Sequence, residues 1–125
     1  MKMMLGAAVA AVVLSLAMPA AAMDIAAVKR KETPAQDSAQ AAQVCAAAMS
    51  GAAYLAEKDS EDQELYITLA KAWVGMAASF SGKEYNAYLD DPLMADMQAL
   101  YDAGDDVVVF YQHYCLVETK RIMES

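Results

Sequence analysis

The fold class depends on the structure of residues 106–121, DVVVFYQHYCLVETKR, in a chain of 125 residues. It contains the only histidine, His113, and one of the two cysteines, Cys115, in a mostly apolar run. Three valines followed by two aromatic residues are compatible with a β-strand. However, no other segment alternates polar and apolar residues in a way that would pair with such a strand. We therefore predict a helix here and an all-α fold.

The spacing of His113 and Cys115 speaks against a shared metal ion. On a helix, residues two apart point roughly 200° away from each other. We expect His113 to be a packed or surface residue rather than a ligand.

The first residues, MKMMLGAAVAAVVLSLAMPAAA, have the features of a secretory signal peptide. Lys2 provides the basic start, Leu5 to Met18 form the apolar centre, and Ala20 and Ala22 give the small-x-small pattern before cleavage. The apolar centre is shorter than the roughly 20 residues that span a bilayer. We predict residues 1–22 as a signal peptide and the mature chain as periplasmic or secreted, without membrane attachment.

Export changes how the two cysteines are interpreted, because oxidising compartments favour disulfides. A bond between Cys45 and Cys115 would close a loop of about 70 residues and stabilise the fold by roughly 4 kcal/mol in the chain-entropy model. An intermolecular bond or free thiols are the alternatives. The intramolecular bond would place the first and last main helices side by side.

Residues 23–32 are predicted as a flexible leader before a helical domain at 33–125. The leader contains the only basic cluster, Lys29–Arg30–Lys31, for which a docking arm toward an acidic partner is the alternative. Thr33, Pro34 and Gln36 form a capping pattern that predicts a helix from Thr33 to about Lys58. Its seam is made mostly of small residues, namely Ala41, Cys45, Ala48, Ala52 and Leu55.

Ser60 and Gln63 form a second capping box, and Gly82 is suited to ending the helix that follows. The next segment, residues 83–104, is broken at Pro92, with Asp91 as the cap of its second part. Asp105 or Asp106 would cap the last helix. These elements predict an antiparallel, four-helix-bundle-like domain whose third helix is broken. The expected inner residues are Leu65, Leu69, Trp73, Met76 and Phe80 on the second helix, and Leu93, Met97 and Leu100 on the broken one.

The sequence predicts no cofactor site, although three patterns are compatible with one. The architecture is similar to that of small exported b-type cytochromes, which hold haem between helices, but antiparallel packing places Met49 beside Tyr111 rather than His113. The pair Met94 and Met97 could bind copper, yet methionine is an ordinary core residue. Residues 90–106 contain six aspartates, whose spacing does not follow the pattern of a calcium loop. They are Asp90, Asp91, Asp96, Asp102, Asp105 and Asp106.

The net charge and the sequence motifs disfavour several classes of function. The net charge is −8, and the loss of Lys2 with the signal peptide would make it −9, which disfavours nucleic acids and anionic lipids as partners. The single histidine has no identifiable serine or free cysteine to activate, so no catalytic residues are predicted.

Residues 107–117 are apolar on nearly every side, which is unusual for a bundle helix. We predict that Val109, Phe110, His113 and Val117 form a homodimer or partner surface; the alternative is that residues 83–104 wrap this face. The function expected from the sequence is therefore non-enzymatic protein–protein interaction, as an inhibitor, assembly factor or holdase-like protein. A small-molecule or b-type haem carrier is the alternative.

Overall fold

The computed structural model describes residues 23–125, so the predicted signal peptide lies outside the described residues. Within this range the chain is helical and contains no strand, which confirms the all-α prediction. The helices are α1 (Ile25–Lys29), α2 (Ala39–Leu55), α3 (Glu61–Ser81), α4 (Tyr85–Leu89), α5 (Pro92–Asp102) and α6 (Val107–Met123).

Helix α2 lies at the centre of the fold, since α3, α5 and α6 all pack against it. It is buried on nearly every side, because alanine and glycine let three neighbouring helices approach its backbone. A regular four-helix bundle is not confirmed. The apolar run at 107–117 does not have this central position, since Val109 and Val117 are exposed. The buried residues of α2 are Ala41, Ala42, Val44, Cys45, Ala46, Ala47, Ala48, Met49, Gly51, Ala52 and Ala53.

The disulfide between Cys45 and Cys115 is confirmed, with both side chains fully buried and the Cα atoms 5.3 Å apart. It joins α2 to α6 rather than the first helix to the last, because α1 precedes α2. A disulfide indicates a location outside the cytoplasm.

Three of the predicted helix boundaries are confirmed, two by side-chain hydrogen bonds and one by a left-handed glycine. Ser60 Oγ accepts a hydrogen bond from the N–H of Gln63 at the start of α3, and Gly82 ends that helix with φ of 75°. At the start of α5, Asp91 Oδ1 accepts from the N–H of Leu93, and Pro92 occupies the first position. Local capping rules therefore located these ends correctly.

The predicted start of the first main helix at Thr33 is wrong, since α2 begins at Ala39 with Ser38 as its cap. The preceding turn is tied to α6 instead. Tyr111 donates its hydroxyl hydrogen bond to the carbonyl of Glu32, and Gln36 Nε2 donates to Glu118 Oε1 at 3.2 Å. These long-range contacts outweigh the local capping pattern.

The predicted flexible leader also differs from the structure, because residues 25–29 form α1 and pack onto the fold. Val28 is fully buried, and Met23 and Ala27 are nearly so. Asp24 caps the helix by accepting from the N–H of Ala27 at 2.9 Å. Apolar burial on one side of this short helix therefore outweighs the polar Lys29–Arg30–Lys31 cluster.

The predicted inner stripe of α3 is only partly correct. Trp73 is buried together with Val74 and Ala77, whereas Leu65 and Phe80 are about half exposed. The expected inner residues of α5, Leu93, Met97 and Leu100, are all buried.

Candidate functional site

The exposed side of α6 carries the residues that the sequence proposed as an interaction surface. Val109 is 67% exposed, Val117 is 51% exposed, and His113 between them is exposed as well. Their spacing of four residues places them on one helix face. Leu116, which the sequence analysis did not include, extends the same face. We call Val109, Phe110, His113, Leu116 and Val117 the α6 face.

The opposite side of α6 anchors the helix to the rest of the fold. Val107, Val108, Tyr111 and Cys115 are buried there. The helix is therefore one-sided, and residues 83–104 do not cover the α6 face. One of the two alternatives drawn from the sequence was that residues 83–104 wrap this face, and this arrangement is not seen within residues 23–125.

Phe110 lies at the edge of the face and is held in place. Its ring packs edge-to-face on Tyr111, with centroids 4.9 Å apart, and Lys31 Nζ lies 5.9 Å from its centroid. Phe110 is only partly exposed, so it limits the face rather than forming its centre.

A polar network fixes the C-terminal half of α6 relative to the turn before α2. Glu118 is buried and accepts a hydrogen bond from Arg121 Nε at 2.8 Å. Arg121 also binds Asp37, with 3.0 Å between Nη2 and Oδ1. Because Gln36 donates to Glu118 as well, the turn at 36–37 holds the helix by two contacts, and the Arg121–Glu118 pair within α6 links them.

The candidate cofactor residues are not brought together. Met49 is fully buried in the core, whereas His113 is exposed on α6. Met97 is fully buried and Met94 only partly, in keeping with the packing role expected of them. Among residues 23–125 no cluster of three or more His, Cys, Asp or Glu side chains could hold a metal ion.

The structure also contains a groove that the sequence analysis missed. It has a volume of about 340 Å³ and lies between α2, α3, α4 and α5. Its lining residues come from four separate segments, so no local sequence signal marks it. They are Ser50, Ala53, Ile67, Ala70, Lys71, Val74, Tyr85, Leu89, Met94 and Gln98.

Comparison with known proteins gives no family. No family model, no curated protein and no solved structure matches this chain. None of the helices between residues 23 and 125 is long and apolar enough to pass through a membrane.

Proposed function

We propose that this protein is exported to the periplasm or beyond and acts there by protein–protein interaction, without catalysing a reaction. The observation that carries the proposal is the exposed α6 face, on which Val109 and Val117 flank His113. An inhibitor, an assembly factor and a holdase-like protein all share this mode of action. The occupant that fits the face best is a second copy of the chain.

The arrangement of the face supports self-association. Val109 and Val117 lie four residues before and four residues after His113. A two-fold axis through His113 would therefore set Val109 of one copy against Val117 of the partner subunit when the two helices run antiparallel. Such self-complementarity is what a two-fold symmetric interface requires.

The charge of the chain supports the same choice. None of the α6-face residues carries a formal charge with His113 neutral, whereas the whole chain carries −8. Two copies would thus meet through a neutral patch while the rest of their surfaces repel each other. Salt screens that repulsion, so association should strengthen as ionic strength rises.

The test is the oligomeric state of the disulfide-bonded protein, measured by sedimentation velocity over a range of concentrations. We expect the wild type to dimerise reversibly and the Val109→Lys/Val117→Lys variant to stay monomeric. Both positions are exposed, so the substitutions should leave the fold intact. Burying two lysines against two lysines in the interface is strongly unfavourable.

The matched control is Leu65→Lys/Tyr54→Lys, which adds the same charge at residues that are 51% and 50% exposed on α3 and α2. This variant should dimerise like the wild type. A wild type that remains monomeric at all concentrations, or a lysine variant of α6 that still dimerises, would contradict the proposal.

A further inference from the structure

The groove between α2, α3, α4 and α5 has an apolar floor and an apolar rim. Ala53 and Val74 are nearly fully buried and form the floor. Ile67 and Leu89 are partly exposed beside it, at 39% and 52%. Large apolar side chains that remain exposed around a concave site are typical of ligand-binding grooves.

The polar side chains that line this groove have no partners within residues 23–125. Ser50, Lys71, Tyr85 and Gln98 form no side-chain hydrogen bond or ion pair there. Elsewhere the glutamines are engaged: Gln43, for example, donates to Asp91, and Gln112 donates to Tyr66. The groove therefore combines an apolar bed with uncommitted hydrogen-bonding groups.

Charge indicates what kind of polar group the groove would take. Lys71 is the only charged residue that lines it, and no carboxylate is among the lining residues. Lys71 follows Ile67 by four residues and precedes Val74 by three, so all three lie on the same face of α3. A cation beside an apolar bed complements an anion with an apolar tail.

We propose that this groove binds a medium-chain fatty acid. The carboxylate would pair with the ammonium of Lys71, and the alkyl chain would lie on Ala53 and Val74. A volume of about 340 Å³ is at the small end of the range of ligand pockets, roughly 300–1,000 Å³, so a single short chain fits better than a two-chain lipid. The proposal does not depend on the α6 face, because no α6 residue lines the groove.

The experiment is isothermal titration calorimetry of the disulfide-bonded chain with hexanoate, octanoate, decanoate and the neutral alcohol 1-octanol, below their micelle or solubility limits. We expect saturable binding whose affinity rises about fourfold per added methylene, since each buried methylene contributes roughly 0.8 kcal/mol. Octanoate should bind more tightly than 1-octanol, because only the carboxylate pairs with Lys71.

Two variants separate the ion pair from general binding. Lys71→Met should weaken octanoate binding up to about fivefold and leave 1-octanol binding unchanged, since Lys71 is exposed and an ion pair in contact with solvent contributes at most about 1 kcal/mol. Lys58→Met removes the same charge from a residue outside the groove and should behave as the wild type. Amide shifts in NMR spectra should locate octanoate at Ser50, Ile67 and Leu89.

Three outcomes would overturn the proposal. These are no saturable binding of any fatty acid, equal affinity of the wild type for octanoate and 1-octanol, or octanoate binding that Lys71→Met leaves unchanged. Each would be obtained on protein whose circular dichroism shows the native helix content. Loss of dimerisation in the α6 variants would not affect any of these measurements.

Discussion

At the scale of single residues, the ring of Tyr101 packs directly on the backbone of Gly51. A Cβ atom at Gly51 would overlap ring carbons Cδ2 and Cε2 of Tyr101. The ring has little room to move, because it is buried and its hydroxyl donates to the carbonyl of Ala48 at 2.8 Å. Glycine is therefore required here by the approach of α5 to α2, although it lowers the intrinsic helix propensity.

We predict that Gly51→Ala lowers the free energy of unfolding by about 2 kcal/mol, since overpacking of this kind typically costs 1–3 kcal/mol. Urea denaturation checks this value. Gly75→Ala is the control, because a Cβ there meets nothing within 4 Å. It should raise the free energy of unfolding by up to about 1 kcal/mol through helix propensity alone. If both substitutions stabilise the protein equally, the Tyr101 ring does not exclude a side chain at residue 51.

At the scale of elements, the junction between α2 and α3 depends on one short capping sequence. Ser60 caps α3, and Gln63 Oε1 accepts from the N–H of Asp59 at 2.8 Å. Gln63 Nε2 also donates to the carbonyl of Ala53, at 3.1 Å, near the end of α2. One side chain thus ties the start of the longest helix to the end of the central one.

The cap itself can be tested by substitution. We expect Ser60→Ala to reduce the free energy of unfolding by about 1 kcal/mol, because the N–H of Gln63 loses its acceptor. Ser60→Thr keeps a hydroxyl at the same position and should lose much less. The comparison is made by urea denaturation with the disulfide intact. An equal loss in both variants would mean that the hydroxyl does not act as the cap.

The ends of the elements were predictable where short-range chemistry decides them. Ser60, Gly82 and Asp91 act on groups within four residues, so the sequence alone identifies them. Thr33 follows the same local rules, yet Tyr111 and Glu118 hold the turn that contains it in another conformation. The groove around Lys71 was missed for a related reason, since its four segments meet only in the folded chain.

The sequence also does not predict which helix lies at the centre of the fold. Residues 39–55 are small or apolar on all sides, so their pattern does not say which face is buried, or that every face is. Residues 107–117 are more apolar, and the sequence predicts a partner surface or a covering segment there. Yet Val109 and Val117 in that stretch are exposed. Three helices surround α2 instead, because its small side chains let neighbouring helices approach closely. Pairing the two cysteines, in contrast, needed only their number and the export signal.

At the scale of the whole molecule, three tyrosines couple stability to alkaline pH. Burial raises the pKa of Tyr101 well above its ordinary value, and nearby Tyr66 adds to this. Burial, followed by Glu32 and Tyr114, raises the pKa of Tyr111 to about 12. The pKa of Tyr114 is raised by burial and by Glu118, with Arg121 acting in the opposite direction. At each of the three tyrosines, the raised pKa means that the folded state favours the neutral phenol.

A raised pKa in the folded state has a definite consequence for the pH dependence of stability. Below pH 10, the ordinary value for tyrosine, the folded and the unfolded chain both hold the phenol protons. Above it the unfolded chain loses them first, so the free energy of unfolding falls as pH rises from 10 toward 12. The stabilisation from Tyr111 is thus fully present below pH 10 and is lost as the pH approaches 12.

Tyr111→Phe isolates this effect from the titration of lysines, which is common to both proteins. At pH 8 the variant should be less stable by about 1 kcal/mol, because the hydroxyl no longer donates to the carbonyl of Glu32. Between pH 10 and 12 the difference should shrink, since only the wild type has a phenol at this position whose ionisation favours unfolding. Urea denaturation of both proteins at half-unit steps of pH measures the difference. A difference that stays constant up to pH 12 would mean that Tyr111 ionises as easily in the folded chain as in the unfolded one. Its burial would then have no electrostatic effect.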